Sequence, residues 1–599
     1  MEKKLIAILG ALSLIGSHCA MASEVSPAAA IIRTSENKLE GLDAMINKAL
    51  KFFQVPGVAV GIIIDGKVVL TKGYGFRDQA KGLSVTENTL FAIGSCTKAF
   101  TSHVLGQLAD EGKISWDDPV VKYLPEFRLK DEYATYHVTI RDLVTHQSGL
   151  PRHDLIWYNS TLPRKDLLSR LPYLELSSDL RGKFQYNNLM YVIAGLLIER
   201  VTGDSWEEAV QSRVLSPLGM VRSNFSVLDS QKSNDFALPY RQKNGLIQSI
   251  PFNNITTVGP AGSINSNIVD MMKWVRFQLS EGTFEGQHLL EKETLRAMHT
   301  PQVAFRKFPE EASDFFGYSL GWFAGLHEGR YYLSHGGMVD GFISSAGFLP
   351  KEKIGVVVLT NSDSSTLFGN SLAEAILNQA LGIEKGDWIL KTKEKEDKIK
   401  SVPKEEKINE PFWSDAGARP FTDYIGEFEH PGYGTISVDA EESGLVVSYH
   451  ALAFPLSHTC YDHFTGVWQW AWDLNFSCSF IRDRFGEVSE LHMPMEESVD
   501  MIVFKRKAGN ELLATNYLKQ FEGLFESDLF FLNIVLKGTQ LVGVIPSTGD
   551  EYALIPGKPL QFSIQGMPGA TARFISAEDG KITAIVVNTS HGTFHFKVK

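Results

Sequence analysis

Ser95 and Lys98 constrain this chain more tightly than any other pair in it. They close the stretch Phe91-Ala92-Ile93-Gly94-Ser95-Cys96-Thr97-Lys98. Behind them Phe100, Val104, Leu105 and Leu108 recur at helical spacing up to Gly112, a residue suited to cap a C-terminus. Side chains three apart on a helix share a face. A serine hydroxyl is a weak nucleophile at neutral pH and needs a base. A lysine serves once burial or neighbouring positive charge depresses its pKa. The start of a buried helix also turns backbone N–H groups toward a developing negative charge. Ser35–Lys38 and Ser401–Lys404 repeat the spacing, the first in a polar stretch, the second in a charged segment broken by Pro403. Neither has an apolar helix to position it. Ser95 is therefore the expected nucleophile, and the alternative is a serine that only caps the helix.

With 599 residues the chain has room for several domains with sizeable cores. Its hydrophobic (44%) and charged (21%) fractions are those of globular protein. A formal net charge of -12 offers no basic face for nucleic acid. Lys3 and Lys4, the short apolar run Leu5–Gly16 and the triplet Ala20-Met21-Ala22 read as a signal peptide over residues 1–22. The protein is thus expected to be secreted or periplasmic. The run is too short to span a bilayer, and no later segment reads as a transmembrane anchor. Cys96, Cys460 and Cys478 remain. An odd number in an exported chain means at least one free thiol. Cys96 is expected free and buried; Cys460 and Cys478 either bridge neighbouring strands or stay reduced.

Across residues 23–388 helical and strand-like segments alternate. Val58–Ile64, the turn Asp65-Gly66 and Lys67–Leu70 read as a hairpin, and Ile354–Asn361 as another buried strand. Leu189–Val201 and Leu372–Leu381 read as helices. Strands at both ends with helices between predict an α+β domain whose sheet is closed by its two termini. Residues 389–412, rich in Lys and Glu, read as a solvated linker or a short exposed helix, so a domain ending near Trp388 is expected to fold alone. Thereafter the chain is β-rich and repeats itself. Tyr424 to Glu429 is echoed by Phe521 to Glu526, Phe480-Ile481 by Phe574-Ile575, and Phe504-Lys505 by Phe596-Lys597, at offsets of 97, 94 and 92 residues. Two related antiparallel modules are expected, over 413–506 and 507–599, as small barrels or sandwiches.

Two further clusters carry chemistry only in combination with Ser95. Tyr186-Asn187-Asn188 precedes a helix. A tyrosine beside a lysine shuttles a proton, its pKa lowered by nearby cations, and an asparagine two residues on orients the lysine or donates to a substrate carbonyl. His335-Gly336-Gly337-Met338 carries paired glycines, which let a strand edge approach a ligand closely. The Met338 N–H would then join that of Ser95 around an oxyanion, with His335 facing the cleft to bind substrate.

Taken in order, Ser95/Lys98, Tyr186/Asn188 and His335/Gly337 resemble the S-x-x-K, Y-x-N and basic-x-G motifs of serine β-lactamase-like, penicillin-binding-protein-like hydrolases. The nearest likeness is to class C β-lactamase relatives and the D-peptidase and esterase branch. Leu143-Val144-Thr145-His146-Gln147-Ser148-Gly149-Leu150-Pro151, Pro260-Ala261-Gly262-Ser263 and Leu359-Thr360-Asn361 support it, across roughly residues 38–388. The resemblance implies an antiparallel sheet flanked by helices plus an all-helical subdomain. It implies catalytic Ser95, Lys98 and Tyr186, substrate contacts at Asn188, His335, Gly336, Gly337 and Met338, and no metal or organic cofactor. Substrates would be small peptides, including cell-wall peptide, or esters or β-lactams. Histidine at 335, where class C enzymes carry lysine, points to D-peptides and esters over β-lactams. The module from Tyr424 to Lys505 resembles a domain of unknown function appended to such hydrolases, and the final module looks lipocalin-like.

Three rivals remain. Gly317-Tyr318-Ser319-Leu320-Gly321 matches a G-x-S-x-G nucleophile elbow but lacks a buried strand before it and a helix after it. His458, Cys460 and His463 cluster without a zinc-hydrolase spacing. A hydrolase fold kept as a non-catalytic penicillin-binding sensor or scaffold would acylate without turning over.

Overall fold

The computed structural model describes residues 39–304, 316–401, 420–441, 444–469, 473–483, 486–567 and 569–599. The signal-peptide reading lies outside them. No helix among the described residues is long and apolar enough to cross a membrane.

The first domain is built on a nine-stranded antiparallel sheet. Its strands are β1 (Gly57–Ile64), β2 (Lys67–Asp78), β3 (Leu83–Ser84), β4 (Val303–Ala304), β5 (Phe316–Tyr318), β6 (Phe323–His327), β7 (Arg330–Val339), β8 (Phe342–Leu349) and β9 (Ile354–Thr360). They lie in the order β4-β5-β6-β7-β8-β9-β1-β2-β3, so the first long strand pairs with the last, Val58 opposite Thr360. Asp65 and Gly66 both take positive φ, 53° and 74°, which fits the tight β1–β2 turn.

Side chains of β1 and β9 alternate between two cores, one on each face of the sheet. Val58, Val60 and Ile62 join Val356 and Val358 beneath α1 (Leu42–Phe53) and α5 (Phe368–Leu381). Ala59 and Ile63 join Val357 and Leu359 in the larger core, which holds α2 (Thr97–Asp110), α3 (Leu189–Thr202) and α4 (Ile268–Gln278). The Phe100 ring stacks on Trp274 at 4.0 Å inside it. Helix α2 ends as its sequence predicts: Gly112 takes φ +67° and the Lys113 N–H donates to the Leu108 carbonyl at 2.9 Å.

Each C-terminal module is a closed eight-stranded antiparallel barrel, the first from Gly426–His430 to Ile502–Arg506, the second from Gly523–Glu526 to Gly592–Val598. The sequence echoes fall at equivalent places. Tyr424 plugs one end of the first barrel against Phe464 and Phe480, at 5.2 and 4.9 Å, and Phe521 plugs the second against Phe562 and Phe574, at 4.9 and 4.6 Å. Cys96, Cys460 and Cys478 are all free, and Cys478 pairs in register with Phe464, not Cys460.

The charged segment after Trp388 is structured as far as it is described. Helix α6 (Trp388–Ser401) buries Ile389, Thr392 and Glu396, and the Ser365 hydroxyl donates to the Glu396 carboxylate. The first barrel is not an independent body either. Its interior residues belong to the same contiguous apolar core as the first domain, whereas the second barrel has a core of its own.

Candidate active site

Ser95 lies in a single 3-10 turn, Gly94–Cys96, that runs straight into α2, and its side chain caps nothing. The turn exists because two glycines allow it. Gly94 takes φ +50°, and a Cβ there would stand 2.5 Å from the Met338 amide nitrogen. A Cβ on Gly337 would stand 1.9 Å from the Ile93 carbonyl oxygen. Strand β7 therefore presses its backbone onto the turn that bears the serine. The Ser344 hydroxyl fixes the contact by donating to the Ile93 carbonyl at 2.7 Å. The Cys96 thiol bonds the His335 carbonyl at 3.1 Å, and burial pushes its pKa up to about 11, so it is an inert core group.

Lys98 is fully buried. Its Nζ lies 3.0 Å from Ser95 Oγ, 2.8 Å from Asn188 Oδ1 and 2.9 Å from the Ala261 carbonyl oxygen. Burial drives its pKa well below the ordinary lysine value, with the Arg152 charge acting the same way and Asp154 and Cys96 opposing. A neutral amine has two N–H bonds and one lone pair. Asn188 and Ala261 offer only oxygens here, so they take the N–H groups and the lone pair faces Ser95.

Tyr186 lies on the other side of this amine, its ring centroid 4.7 Å from Nζ. The expectation that nearby cations lower its pKa is reversed. Burial raises it above the ordinary phenol value, and the opposing effects of Ser95 and Arg152 are smaller. Tyr186 stays a phenol and is suited to donate a proton.

Asn188 is held at both ends: Oδ1 accepts from Lys98 and Nδ2 donates to Asp154 Oδ1 at 3.0 Å. Asp154 also accepts from Trp157 Nε1 at 2.9 Å and from Arg152 Nε at 2.6 Å. The Arg152 guanidinium lies over the Tyr186 ring, 5.2 Å from its centroid, with its side chain 51% exposed. Arg152 and Asp154 were not singled out in the sequence. The only signal is their place just past Ser148-Gly149-Leu150-Pro151, on a loop turned by His153 at φ +46°.

His335 sits in the site without facing it as a charge. It is buried, with Nδ1 donating to the Gly336 carbonyl at 2.6 Å and Nε2 accepting from the Tyr318 hydroxyl at 2.9 Å. The Phe323 and Tyr186 rings lie 5.1 and 6.2 Å from it. Burial lowers its pKa to about 3. The expected basic residue of the third motif, facing the cleft, is instead an enclosed neutral imidazole with one tautomer. Gly336 and Gly337 continue β7 opposite Ser345 and Ser344, and Met338 is 45% exposed at its end.

The rival sites do not assemble. Ser319 is buried in the turn between β5 and β6, its hydroxyl donating to the His299 carbonyl at 3.2 Å. His458 bonds the Tyr461 carbonyl and His463 the Ser479 hydroxyl. Among the described residues no three His, Cys, Asp or Glu side chains are placed to hold a metal.

A serine, a buried lysine of lowered pKa and a protonated tyrosine between a helix-borne turn and a sheet edge define a serine hydrolase site of β-lactamase type. The chain belongs to the Beta-lactamase family, which matches residues 42–381, and residues 415–506 match a domain of unknown function, DUF3471. Unguisins hydrolase ungD' of Aspergillus campestris is 28% identical over 419 residues, covering 66% of this chain and 76% of that protein. Protein flp of Staphylococcus aureus is 28% identical over 337 residues, covering 55% of this chain and 65% of its own length, so the match spans about two thirds of that relative. In fold, the chain resembles the octameric penicillin-binding protein homologue from Pyrococcus abyssi, with a TM-score of 0.53 and 24% identity over 78% of this chain and 99% of that one.

Proposed function

We propose that the protein is an exported serine hydrolase that cleaves amide or ester bonds through an acyl-enzyme, with D-amino-acid peptides and small esters as its substrates. The observation that carries this reading is the Lys98 amine, buried, with its pKa driven down by that burial, and 3.0 Å from Ser95 Oγ. Lys98 takes the Ser95 proton as Oγ attacks the carbonyl. The Ser95 and Met338 N–H groups hold the oxyanion. The Tyr186 phenol gives a proton to the leaving group and is restored in deacylation, when water attacks the ester. Asn188 keeps Lys98 in place.

The substrate preference rests on charge. A β-lactam carries a carboxylate, and His335 offers it no cation. Arg152 is the cation over Tyr186 and supports the alternative of a β-lactamase or penicillin-binding protein, but Asp154 already pairs with it. Cell-wall peptide is a fitting D-peptide substrate for an exported enzyme. The test is a panel of D-peptides, nitrophenyl esters and a chromogenic cephalosporin, with fluorophosphonate labelling of wild type and Ser95→Ala. Labelling that depends on Ser95, and kcat/KM highest for an ester or D-peptide, is expected. Labelling retained in Ser95→Ala overturns the site. Cephalosporin as best substrate selects the β-lactamase alternative, and a burst without turnover selects the sensor.

A further inference from the structure

We infer that the second barrel is a binding site for one unbranched hydrocarbon chain, entered from the end away from Phe521. Its interior holds a cavity of about 270 Å³. Leu532, Ile534, Leu554, Ile564 and Ala572 form its walls, with Phe530 and Met567 toward the entrance. Thr589 and His591 are the polar side chains of the lining besides Tyr552, and both lie at the turn that joins the last two strands. The entrance residues all come from connections at one end of the barrel, and the opposite end is closed by Phe521. The result is an apolar cup with a polar rim. Eight strands give a barrel just wide enough to be filled by side chains or to hold one small ligand. Apolar walls of this kind offer water few hydrogen-bond partners and favour an apolar guest.

The first barrel shows why the second is hollow. Aligned on the hairpins Glu441–Gly444 and Lys537–Gln540, Gly543 stands at the place of Val447, and Ile545 at that of Tyr449. Aligned on the pairs Arg482–Val488 and Ser576–Ile582, Ala572 stands at the place of Cys478. At the rim, the pairs Glu429–Thr435 and Glu526–Phe531 set Leu529 against Tyr433. In the first barrel Tyr433 and Tyr449 are buried, and the Tyr449 hydroxyl donates to the Tyr433 carbonyl at 2.9 Å across that end. The same end docks on the hydrolase domain. In the second barrel the smaller residues leave space, Leu529 is 75% exposed, and the cavity lining includes no residue of the hydrolase domain. The cavity of about 270 Å³ suits one chain and the rim suits a polar head, whether that of a free fatty acid or of an acyl lipid.

The test uses the full-length protein and cis-parinaric acid, whose fluorescence rises on entering an apolar site. Octanoic, decanoic and dodecanoic acids are expected to displace it with affinities that rise roughly fourfold per methylene until the cavity is full. A lysophospholipid with a dodecanoyl chain separates the two sources. Displacement by it as well as by the acid shows recognition of the chain whatever its head, and displacement by the acid alone shows a free fatty acid site. Gly543→Val installs the residue the first barrel carries, and the nearest atoms to its new Cβ, on Leu532, Ile534 and the Tyr552 carbonyl, stand 3.4 to 3.9 Å away, at ordinary contact distance. It is expected to weaken the probe at least about tenfold without changing ester turnover. Ala572→Leu fills the cup from another wall and should do the same. No displacement by any chain, or unchanged probe affinity in both folded variants, overturns the inference.

Discussion

The Tyr433 hydroxyl lies 2.7 Å from His153 Nδ1, so a side chain of the first barrel touches the loop that holds Asn188. His153 Nε2 donates to the Glu175 carbonyl at 2.9 Å, which leaves Nδ1 to accept from Tyr433. The Glu496 carboxylate accepts from the His153 N–H at 2.8 Å, and Arg170 reaches the Gly432 carbonyl at 3.2 Å. One residue further on, Asp154 holds Asn188, which holds Lys98.

The two barrels should therefore differ in what their removal does. A chain ending after Ser401 exposes the shared core, contrary to the expectation that the first domain stands alone. It is expected to melt at least about 5 °C below the full chain and to lose most ester turnover. A chain ending after Arg506 gives up only a barrel with its own core and a Lys558–Glu487 ion pair, and should keep both. Calorimetry and turnover on the two truncations decide; equal behaviour contradicts the shared core.

Asp154→Ala removes the acceptor that fixes Asn188. The asparagine can then turn its Nδ2 toward Lys98, where two donors meet. A fall in kcat of about ten- to a hundredfold is expected, the scale of a catalytic group displaced by about an ångström. KM should change less. Single-turnover acylation kinetics, with Asp154→Glu as partial rescue, measure it.

Tyr186→Phe removes only a hydroxyl, so the fold should persist while the chemical step slows by about two to four orders of magnitude. A variant retaining a third of the wild-type rate would rule out the proton-donor role.

Lys98 ties activity to pH and stability. Its folded pKa lies below its unfolded value, so between the two the unfolded chain binds more protons and stability rises with pH. Relative to Lys98→Met, wild type should lose stability as pH falls from the ordinary lysine range toward neutrality. Denaturant unfolding of both proteins across that range measures the difference; parallel curves would place a charged amine in the core.

His335→Lys should not convert the enzyme to a β-lactamase. The imidazole is buried and neutral, and a lysine there puts a charge where Lys98 already needs a neutral surrounding. A loss of about 3 kcal/mol or more is expected from the unpaired buried charge. His335→Gln should be milder. In wild type, His335 stays neutral while the unfolded chain protonates near its ordinary value. It thus withdraws stability as pH falls from about 6.5 toward 3. Melting temperature against pH for wild type and His335→Gln separates this contribution from the rest.

The elements legible in the sequence were those with local signatures. Helix α2 shows its periodicity and cap, the β1–β2 hairpin its Asp-Gly turn, and the two barrels their repeated landmarks. Ser95, Lys98, Tyr186, Asn188 and Met338 come together around one cleft. What stayed hidden depends on contacts between distant segments. His335 reads as a cleft-facing substrate contact until Tyr318 and Phe323, from two other strands, enclose it. Asp154 gains its role from Asn188, thirty-four residues on. The acidic Glu396 looks solvated until Ser365 and Leu367 claim its carboxylate.

The pairing of β1 with β9 also sets a schedule for a nascent chain. Val58 cannot meet its partner until Thr360 has been made, about 300 residues and roughly 15 to 60 s later at ordinary synthesis rates. Throughout that interval Gly57–Ile64, every residue of which is buried in the finished sheet, has the hairpin with β2 and helix α1 to cover it, but no strand on its other edge. The order of the strands thus leaves that edge unpaired until more than half of the chain has been made.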